Sequence, residues 1–488
     1  MKKQIITIGL FLLCVPVFAQ PMTLQEAIDQ ARTASVDAVR ARQAFVSTYW
    51  TWRSYRASLL PSFSIYGNLG NFNRSLALLQ LPDDGTMRYV NTNNLQNSIG
   101  LRISQNITFT GGTISIYSDL NRIDQFGLSK AVTWYAQPIT ISFNQPLFAY
   151  NSFKWDRKIQ PKEYEKGRRE YLTALEQVVE NTVEAYFRLL LTHQQWMTAR
   201  SNYADSGSLL KVAMERSRLG TGSRDEYLQL ELQLLNDSLS VNQKKIAVRE
   251  AQMALNSLLS LSEVQEVEPV FDELLPALIM DYEQVVDKAN ENAPFQLDNE
   301  LQLLQAKSSV ERAKASRGLS MSLNARFGLS KSGISFPDAY LNPLDQEVVG
   351  ITFCYPIFDW GESRGKVQKA RAAEEVVKAQ IRQAESDYRR KLYSVIGEFN
   401  NQRNQCVLSK RASEIAAERY ILVIERFRLG NATVLELNNA RSDKDIAQEQ
   451  YIQDIGNYWQ KYYEIRKETL YDFLLGIDLE IDENELIR

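Results

Sequence analysis

The sequence repeats part of itself at a separation of 210 residues, and this repeat limits the possible folds more than any other feature. The segment Glu215–Gly220 recurs as Glu425–Gly430 with five of its six residues unchanged. Pro146–Phe148 recurs as Pro356–Phe358 at the same separation. Self-similarity at a fixed separation is the signature of a fold built from repeated units. The sequence therefore predicts that one structural unit occurs twice in the chain.

The beginnings of the two units align at a larger separation of 258 residues, where Met22–Leu24 matches Met280–Tyr282. The difference between 258 and 210 places about 48 additional residues in the strand region of the first unit. We predict a first repeat at residues 20–270 and a second repeat, with a C-terminal tail, at residues 271–488.

The longest segment with a helical pattern runs from Phe153 to Arg218, with one early break at Pro161. At about 1.5 Å per residue, a helix of this length extends on the order of 95 Å. Its seam residues recur at spacings of three and four, which predicts supercoiled packing against other helices. The seam consists of Leu172, Leu175, Val179, Thr182, Tyr186, Leu189, Trp196, Tyr203 and Leu210.

In each unit a second helical segment follows the first after a glycine. Gly220 and Gly430 suit the left-handed conformation in which many helices end. We therefore predict long antiparallel helical hairpins at residues 150–262 and 361–470. A globular core does not need helices of this length, whereas a tube does.

Apolar and polar residues alternate in two regions, near residues 61–148 and 319–358, which predicts β-strands. Segments of about ten residues with this alternation are typical of transmembrane barrels. A soluble sandwich with one wet face gives the same pattern. An additional hairpin is predicted near residues 98–122, with its turn at Gly111-Gly112. The pattern leaves open whether this hairpin joins the other strands.

The composition offers little material for catalysis. The chain has a formal net charge of −3, one His and three Cys. The near-neutral charge argues against nucleic acid as a partner, and no Gly-rich loop ending in Gly-Lys-Ser/Thr is present. We expect no enzymatic activity, no cofactor and no metal site. Cys354 and Cys406 fall in a predicted strand and a predicted helix, and His193 falls on the helical seam, so we expect all three to be packing residues.

The first nineteen residues have the pattern of a secretory signal peptide. Lys2 and Lys3 precede an apolar segment, Ile5–Phe18, that is too short to span a bilayer. Val17–Ala19 provides small residues where a signal peptidase cleaves. We predict a signal peptide at residues 1–19 and export of the remaining chain.

Together these features resemble the TolC-type outer membrane efflux protein family over nearly the whole mature chain. The resemblance rests on the opening segment Met22–Ile28, the strand-to-helix segments Asn144–Phe148 and Tyr355–Gly361, the turn segment Arg428–Leu437 and the duplication. Each match is weak alone, but their order and spacing are specific. The long first strand region, with its additional hairpin, departs from the best-known family pattern.

The resemblance implies a mixed α and β membrane protein of the cell outer membrane. Each chain would contribute a few strands, four in the best-known pattern, to a β-barrel shared by a homotrimer. Its long helices would form a tunnel in the periplasm. Because open strand edges are not tolerated in lipid, one chain with so few strands requires partners to close its barrel. The implied partners are outer membrane lipid, a periplasmic adaptor protein and an inner membrane transporter that supplies the energy.

The family also implies roles for residues near the two glycine turns. Glu436 matches the position whose carboxylate rings the closed tunnel entrance, and Asn439 occupies a second position that is often acidic. Arg428 and Arg441, together with Arg426, are candidates for holding the entrance closed. For Glu436 the alternative is a solvated residue in the first turn of a helix, where an acidic side chain is favourable. For the arginines the alternative is an exposed helix face.

The two turns are also the candidate docking sites for the adaptor. The residues implied are Arg218, Leu219, Gly220, Arg428, Leu429 and Gly430.

The leading hypothesis is therefore a passive duct that exports small molecules as part of a tripartite efflux system. One alternative keeps the fold and exports polypeptides with an ATP-driven exporter. A third hypothesis is a structural periplasmic coiled-coil protein whose strands form a soluble cap.

Overall fold

The computed structural model describes residues 20–80, 85–126, 130–220, 223–273 and 275–487. The predicted signal peptide, residues 1–19, lies outside the described residues. The helices are α1 (Leu24–Ala34), α2 (Val36–Ser58), α3 (Ser152–Arg218), α4 (Arg224–Leu259), α5 (Tyr282–Asn292), α6 (Pro294–Ala315), α7 (Glu362–Arg428), α8 (Val434–Thr469) and α9 (Glu483–Ile487). The strands are β1 (Gln20–Met22), β2 (Ser62–Gln80), β3 (Met87–Ile107), β4 (Gly112–Gln125), β5 (Ala131–Leu147), β6 (Val267–Pro269), β7 (Ser320–Gly333), β8 (Leu344–Cys354), β9 (Tyr471–Asp472) and β10 (Ile477–Asp478). The predicted mixed α and β fold is confirmed.

The described residues form two compact units. The helical unit contains the residues up to Val46, Gly167–Phe295 and those from Glu385 onward. The sheet unit contains Ser47–Lys166 and Gln296–Ala384. Among the described residues, no helix combines the length and the apolar character that crossing a membrane requires.

The long helices have equal lengths in pairs. Helices α3 and α7 contain 67 residues each, and α4 and α8 contain 36 residues each. Each pair starts and ends 210 residues apart, the separation read from the sequence. Helices α1 and α5 both contain 11 residues and start 258 residues apart. The repeat boundaries of 270 and 271 themselves stay a prediction.

The expected break at Pro161 is wrong, because α3 runs through it without interruption. Proline removes one backbone N–H from the helical hydrogen-bond pattern. Here it lies in the third turn of a helix of 67 residues, and the remaining bonds keep the helix continuous.

The predicted seam of α3 holds only in part. Its central residues Val179, Thr182 and Leu189 are fully buried, but Tyr203 is 44% exposed. Beyond Trp196 the spacing of three and four continues, but the buried positions lie on a different side of the helix. Beyond Trp196 the buried positions are instead Ala199, Asn202, Ser206, Leu209 and Ala213.

The core of the helical unit is rich in buried aromatic side chains. Phe399 packs on Tyr458, with ring centroids 4.9 Å apart, and both side chains are fully buried. The Tyr186 hydroxyl donates to the Val270 carbonyl at 2.7 Å and so ties α3 to the segment after β6. In α7, Cys406 is a free thiol that is 2% exposed, and burial raises the pKa of this thiol to about 12. Cys354 is also free but exposed, so the prediction of a packing residue is confirmed for Cys406 and wrong for Cys354.

The sheet unit contains one antiparallel sheet of six strands in the order β2-β3-β4-β5-β7-β8. The additional hairpin is therefore β3–β4, and it lies inside the sheet between β2 and β5. The sheet of this chain thus has two strands more than the four of the best-known family pattern, and the number that joins a barrel stays a prediction. The hairpin turn is also longer than expected, because residues 108–111 form the loop and Gly112 begins β4. Gly111 adopts φ 80°, a left-handed conformation that favours glycine.

The two faces of this sheet differ in polarity. Directly opposite residues share a face, so the pairing defines rows that cross all six strands. One row is apolar up to its last residue and consists of Phe63, Ile103, Ile116, Ile141, Phe327 and Glu347. The neighbouring row, on the other face, consists of Ser62, Ser104, Ser115, Ser142, Arg326 and Val348. Apolar side chains on the first face are well exposed, with Phe63 at 78% and Ile65 at 74%.

Candidate functional site

The candidate site is the end of the helical unit where α3 turns into α4 and α7 turns into α8. Gly220 and Gly430 follow the first helix of each pair with φ 70° and 83°. The N–H of Gly430 donates to the Phe427 carbonyl at 3.0 Å, and the N–H of Asn431 donates to the Arg426 carbonyl at 2.8 Å. These bonds close the α7 terminus in the manner predicted for a left-handed glycine. We call the two turns, residues 218–220 with 223 and residues 428–433, the tips.

Each tip leads into a capped helix. Ser223 accepts a hydrogen bond from the N–H of Asp225 at 3.1 Å. In the second tip, Thr433 accepts from the N–H of Glu436 at 3.2 Å, and the Thr433 N–H donates to the Glu436 carboxylate at 2.8 Å. This reciprocal pair is a capping box, which satisfies two donors that the helix itself cannot.

Glu436 is thus part of a helix start in the single chain. Its side chain is 49% exposed, and its carboxylate lies 4.0 Å from Arg426. The hydrogen bond from the Thr433 N–H, with the nearby Arg426, lowers the pKa of this carboxyl. The geometry agrees with the first-turn alternative. The role in a ring of three stays a prediction.

The same arginine–glutamate pair occurs at both tips. Arg216 lies 3.4 Å from Glu226 in the first, and Arg426 lies 4.0 Å from Glu436 in the second. The two arginines are 210 residues apart in the sequence, and so are the two glutamates, so the repeat extends to individual contacts. Arg216 also donates to the Phe427 carbonyl at 3.4 Å and thereby joins the last turns of α3 and α7.

The outermost side chains of the tips are open to solvent. Leu219 is 76% exposed and Leu429 is 77% exposed. The Arg218 side chain is 78% exposed and lies 4.0 Å from Glu215, and Arg428 and Asn439 are also exposed. The structure thus places an apolar and a basic residue together at each tip.

Behind the tips, all four long helices meet in one apolar cluster. Its buried members are Leu209, Ala213, Leu230, Tyr420, Val423, Phe427, Val434, Leu437 and Ala440. Burial of such side chains stabilises the folded state by about 1.5–3 kcal/mol each for the larger ones. The two hairpins are therefore one packed bundle at this end.

A buried charge pair adjoins this cluster. The guanidinium of Arg441 on α8 binds both carboxylate oxygens of Asp237 on α4, one of them at 3.0 Å. Arg441 also donates to the Ser206 hydroxyl on α3 at 3.1 Å. The side chains of Asp237 and Arg441 are 5% and 14% exposed. Arg441 alone among the predicted arginines thus connects three helices through buried groups.

Further polar contacts surround this pair. Asn202 on α3 donates to the Asp445 carboxylate on α8 at 2.7 Å. The Tyr420 hydroxyl on α7 donates to Asp205 on α3 at 3.2 Å. We call Ser206, Asp237 and Arg441 with these four residues the polar cluster. It involves all four long helices.

Sequence reasoning missed Asp237 and Ser206. A signal was present, since Asp237 follows the buried Leu230 by seven residues and so occupies the same helix face. An acidic residue at an apolar seam position requires a buried partner. His193, predicted as a packing residue, is half-buried, with its ring centroid 6.0 Å from that of Trp196.

Within the part of the chain that the structure describes, no group of three or more His, Cys, Asp or Glu side chains is arranged to hold a metal ion.

Comparison with known proteins finds one matching family model. The sequence profile of the outer membrane efflux protein family matches residues 285–468. This family consists of channel proteins rather than enzymes. A search among curated protein sequences gives no match.

Solved structures share the fold along nearly the whole chain. The Campylobacter jejuni CmeC outer membrane channel superposes with a TM-score of 0.67 at 16% identity, covering 95% of this chain and 88% of that one. The outer membrane protein VceC of Vibrio cholerae has a TM-score of 0.64 at 12% identity, with 94% and 97% covered. The open state of the Neisseria gonorrhoeae MtrE outer membrane channel has a TM-score of 0.57 at 15% identity, with 94% and 91% covered.

The fold is therefore that of outer membrane channels. Through the match over residues 285–468 and this shared fold, the resemblance of the chain to the TolC-type outer membrane efflux protein family is confirmed.

Proposed function

We propose that the chain is one protomer of a trimeric, passive duct that spans the outer membrane and the periplasm. It would be the exit component of a tripartite efflux system that exports small molecules. A periplasmic adaptor would dock on it, and an inner membrane transporter would supply the energy.

The observation that carries this proposal is the sheet. Its apolar face crosses six strands and is exposed, as in Phe63 and Ile65, while the opposite face is polar. Strands β2 and β8 each have one neighbour among the described strands, so each has an open edge. Lipid accepts an apolar face but not an open edge, and closure by further copies of the chain meets both conditions.

The long helices support the second half of the proposal. A helix of 67 residues extends about 100 Å at 1.5 Å per residue. The described chain contains two such helices, each followed by one of 36 residues. Three copies would supply a sheath of twelve helices around one tunnel.

The tips are the proposed docking surface for the adaptor. Leu219 and Leu429 project an apolar side chain into solvent beside Arg218 and Arg428. Exposed apolar residues rimmed by polar ones are typical of protein interfaces.

The entrance is proposed to close through two elements. The polar cluster would hold α8 against α3 and α4 through Arg441. Three copies of Glu436 would converge on the threefold axis and favour cations there, with Asn439 and Arg428 nearby. Efflux of small molecules would require the contacts of the polar cluster to break and the Glu436 side chains to move apart.

The buried pair gives the first prediction. Replacing Arg441 by Ala leaves Asp237 buried without its partner, which typically costs about 3–5 kcal/mol. We therefore expect Arg441→Ala to raise the open probability of the channel in planar bilayers. The matched control is Arg419→Ala, which breaks the exposed Arg419–Asp443 pair between α7 and α8. Exposed pairs contribute about 0–1 kcal/mol, so the control should behave as wild type. Equal open probability in both variants would contradict the proposed closing role.

The second prediction concerns Glu436. In a ring, three carboxylates raise one another's pKa, opposing the lowering that the Thr433 N–H causes in the single chain. Protonation removes negative charge as the pH falls through the raised pKa. Cation preference should therefore fade on acidification, and Glu436→Gln should abolish it at neutral pH.

The control for this experiment is Glu226→Gln, the residue at the corresponding position 210 residues earlier. We expect it to retain the cation preference of the wild type. A Glu436→Gln channel that keeps its selectivity would remove Glu436 from the entrance and leave the duct intact.

The third prediction tests docking. The double variant Leu219→Ala, Leu429→Ala removes the apolar groups from both tips, and we expect cells that depend on the chain for resistance to toxic compounds to lose that resistance. Purified channel should still conduct, because the tips would act only in binding. Leu239→Ala is the control, since Leu239 is 62% exposed on α4 away from the turns. Unchanged resistance in the double variant would exclude the tips as the essential docking surface.

A further inference from the structure

The β3–β4 hairpin is bonded into the sheet on both sides. Its own pairing runs without irregularity from Asn94 opposite Gln125 to Ile107 opposite Gly112. On one side β3 pairs with β2, and on the other β4 pairs with β5, and each of these pairings contains one local irregularity. Removing the hairpin from the sheet would therefore break two ladders of backbone hydrogen bonds.

The hairpin also carries the same two faces as the other strands. In the apolar row it contributes Ile103 and Ile116, between Phe63 of β2 and Ile141 of β5. Leu101, opposite Ile65, is 58% exposed on that face. A hairpin standing in water beside a barrel has no reason to continue this apolar face.

The opposite face of the hairpin carries polar and charged side chains. The Tyr66 hydroxyl of β2 donates to the Asp119 carboxylate of β4, directly above Gly100 of β3. Arg102 lies over the Tyr66 ring at 4.5 Å and the Tyr117 ring at 5.7 Å. Charged groups on one face and apolar groups on the other are what a barrel wall requires of lumen and lipid.

The open edges fit a second copy of the chain. All strand pairs in this sheet are antiparallel. With six strands, an even number, β8 of one copy meets β2 of the next in the same antiparallel sense. Three copies of six strands give eighteen, whereas four strands per chain would give twelve.

We propose that all six strands form the membrane wall, so that three copies close an eighteen-stranded barrel in which β8 pairs with β2 of the next copy. This rests on the proposed function as a trimeric outer membrane duct. Barrel diameter grows about in proportion to strand number. With strands about 4.8 Å apart and tilted by about 40°, the wall is about 35 Å across, against about 24 Å for twelve strands. The wider barrel leaves a lumen of the size found in large porins.

Single cysteines test which strands lie in lipid. The background is Cys354→Ser, in which the buried Cys406 is shielded from reagent. Ile103→Cys on β3 and Phe327→Cys on β7 belong to one apolar row, so Phe327→Cys is the matched reference. Ser104→Cys and Arg326→Cys are their counterparts on the polar face. Each protein is reconstituted in lipid nanodiscs and treated with a water-soluble maleimide.

We expect lipid to protect Ile103→Cys and Phe327→Cys from the maleimide. Ser104→Cys and Arg326→Cys, on the polar face, should react with it. Labelling of Ile103→Cys with protection of Phe327→Cys would place the hairpin in water and overturn the eighteen-stranded wall, while the duct would stand. Labelling of both apolar positions would show that the sheet avoids lipid, and both proposals would fall. Threefold-averaged cryo-electron microscopy of the wild type then shows the number of strands in the barrel wall directly. We expect eighteen strands, and a wall of twelve would overturn the proposal.

Discussion

A β-strand exposes a row of N–H and C=O groups along each free edge, and the interior of a bilayer offers hydrogen bonds to neither. The six-stranded sheet has two such edges, along β2 and β8, and one apolar face that water does not favour. The proposed assembly rests on these two facts. The apolar face calls for lipid, and lipid then forbids the open edges, so the sheet cannot serve as a wall until other copies of the chain close it.

The helical unit meets a different constraint beside its tips. Four helices pack there around an apolar cluster, and the Arg441–Asp237 pair is buried beside it. A buried, hydrogen-bonded charge pair is costly to separate, and packed side chains do not deform gradually. Such a bundle favours two discrete arrangements over a continuous series. This is the property that a closed and an open entrance require, and it is why we assign the closing role to Arg441 before the exposed Arg428.

The sequence predicted the helical framework closely, because helix position depends on local pattern. Matching segments 210 residues apart foretold helices whose ends agree to the residue, such as α3 and α7. The glycines at 220 and 430 foretold the turns. The predicted break at Pro161 failed because the loss of one hydrogen bond is small in a helix of this length. The predicted burial of Tyr203 was wrong because the seam was extended beyond the point where the buried face of α3 changes sides.

The strand count and the polar cluster depend on partners distant in sequence. Alternation showed that β3 and β4 exist, but it does not tell which neighbours they choose, and their place between β2 and β5 emerges only from the pairing. Arg441 was a candidate without a partner, because Asp237 lies 204 residues away. The proposed role of Glu436 in a ring depends on other copies, so a single chain shows its capping bonds with Thr433 and its contact with Arg426 but no ring.

The most direct test of the duct itself uses the unmodified mature protein, extracted in detergent, sized by native mass spectrometry and then fused into planar bilayers. We expect a detergent-dependent trimer that gives small, discrete, cation-preferring current steps. A folded protein that stays monomeric without detergent and never conducts would contradict it.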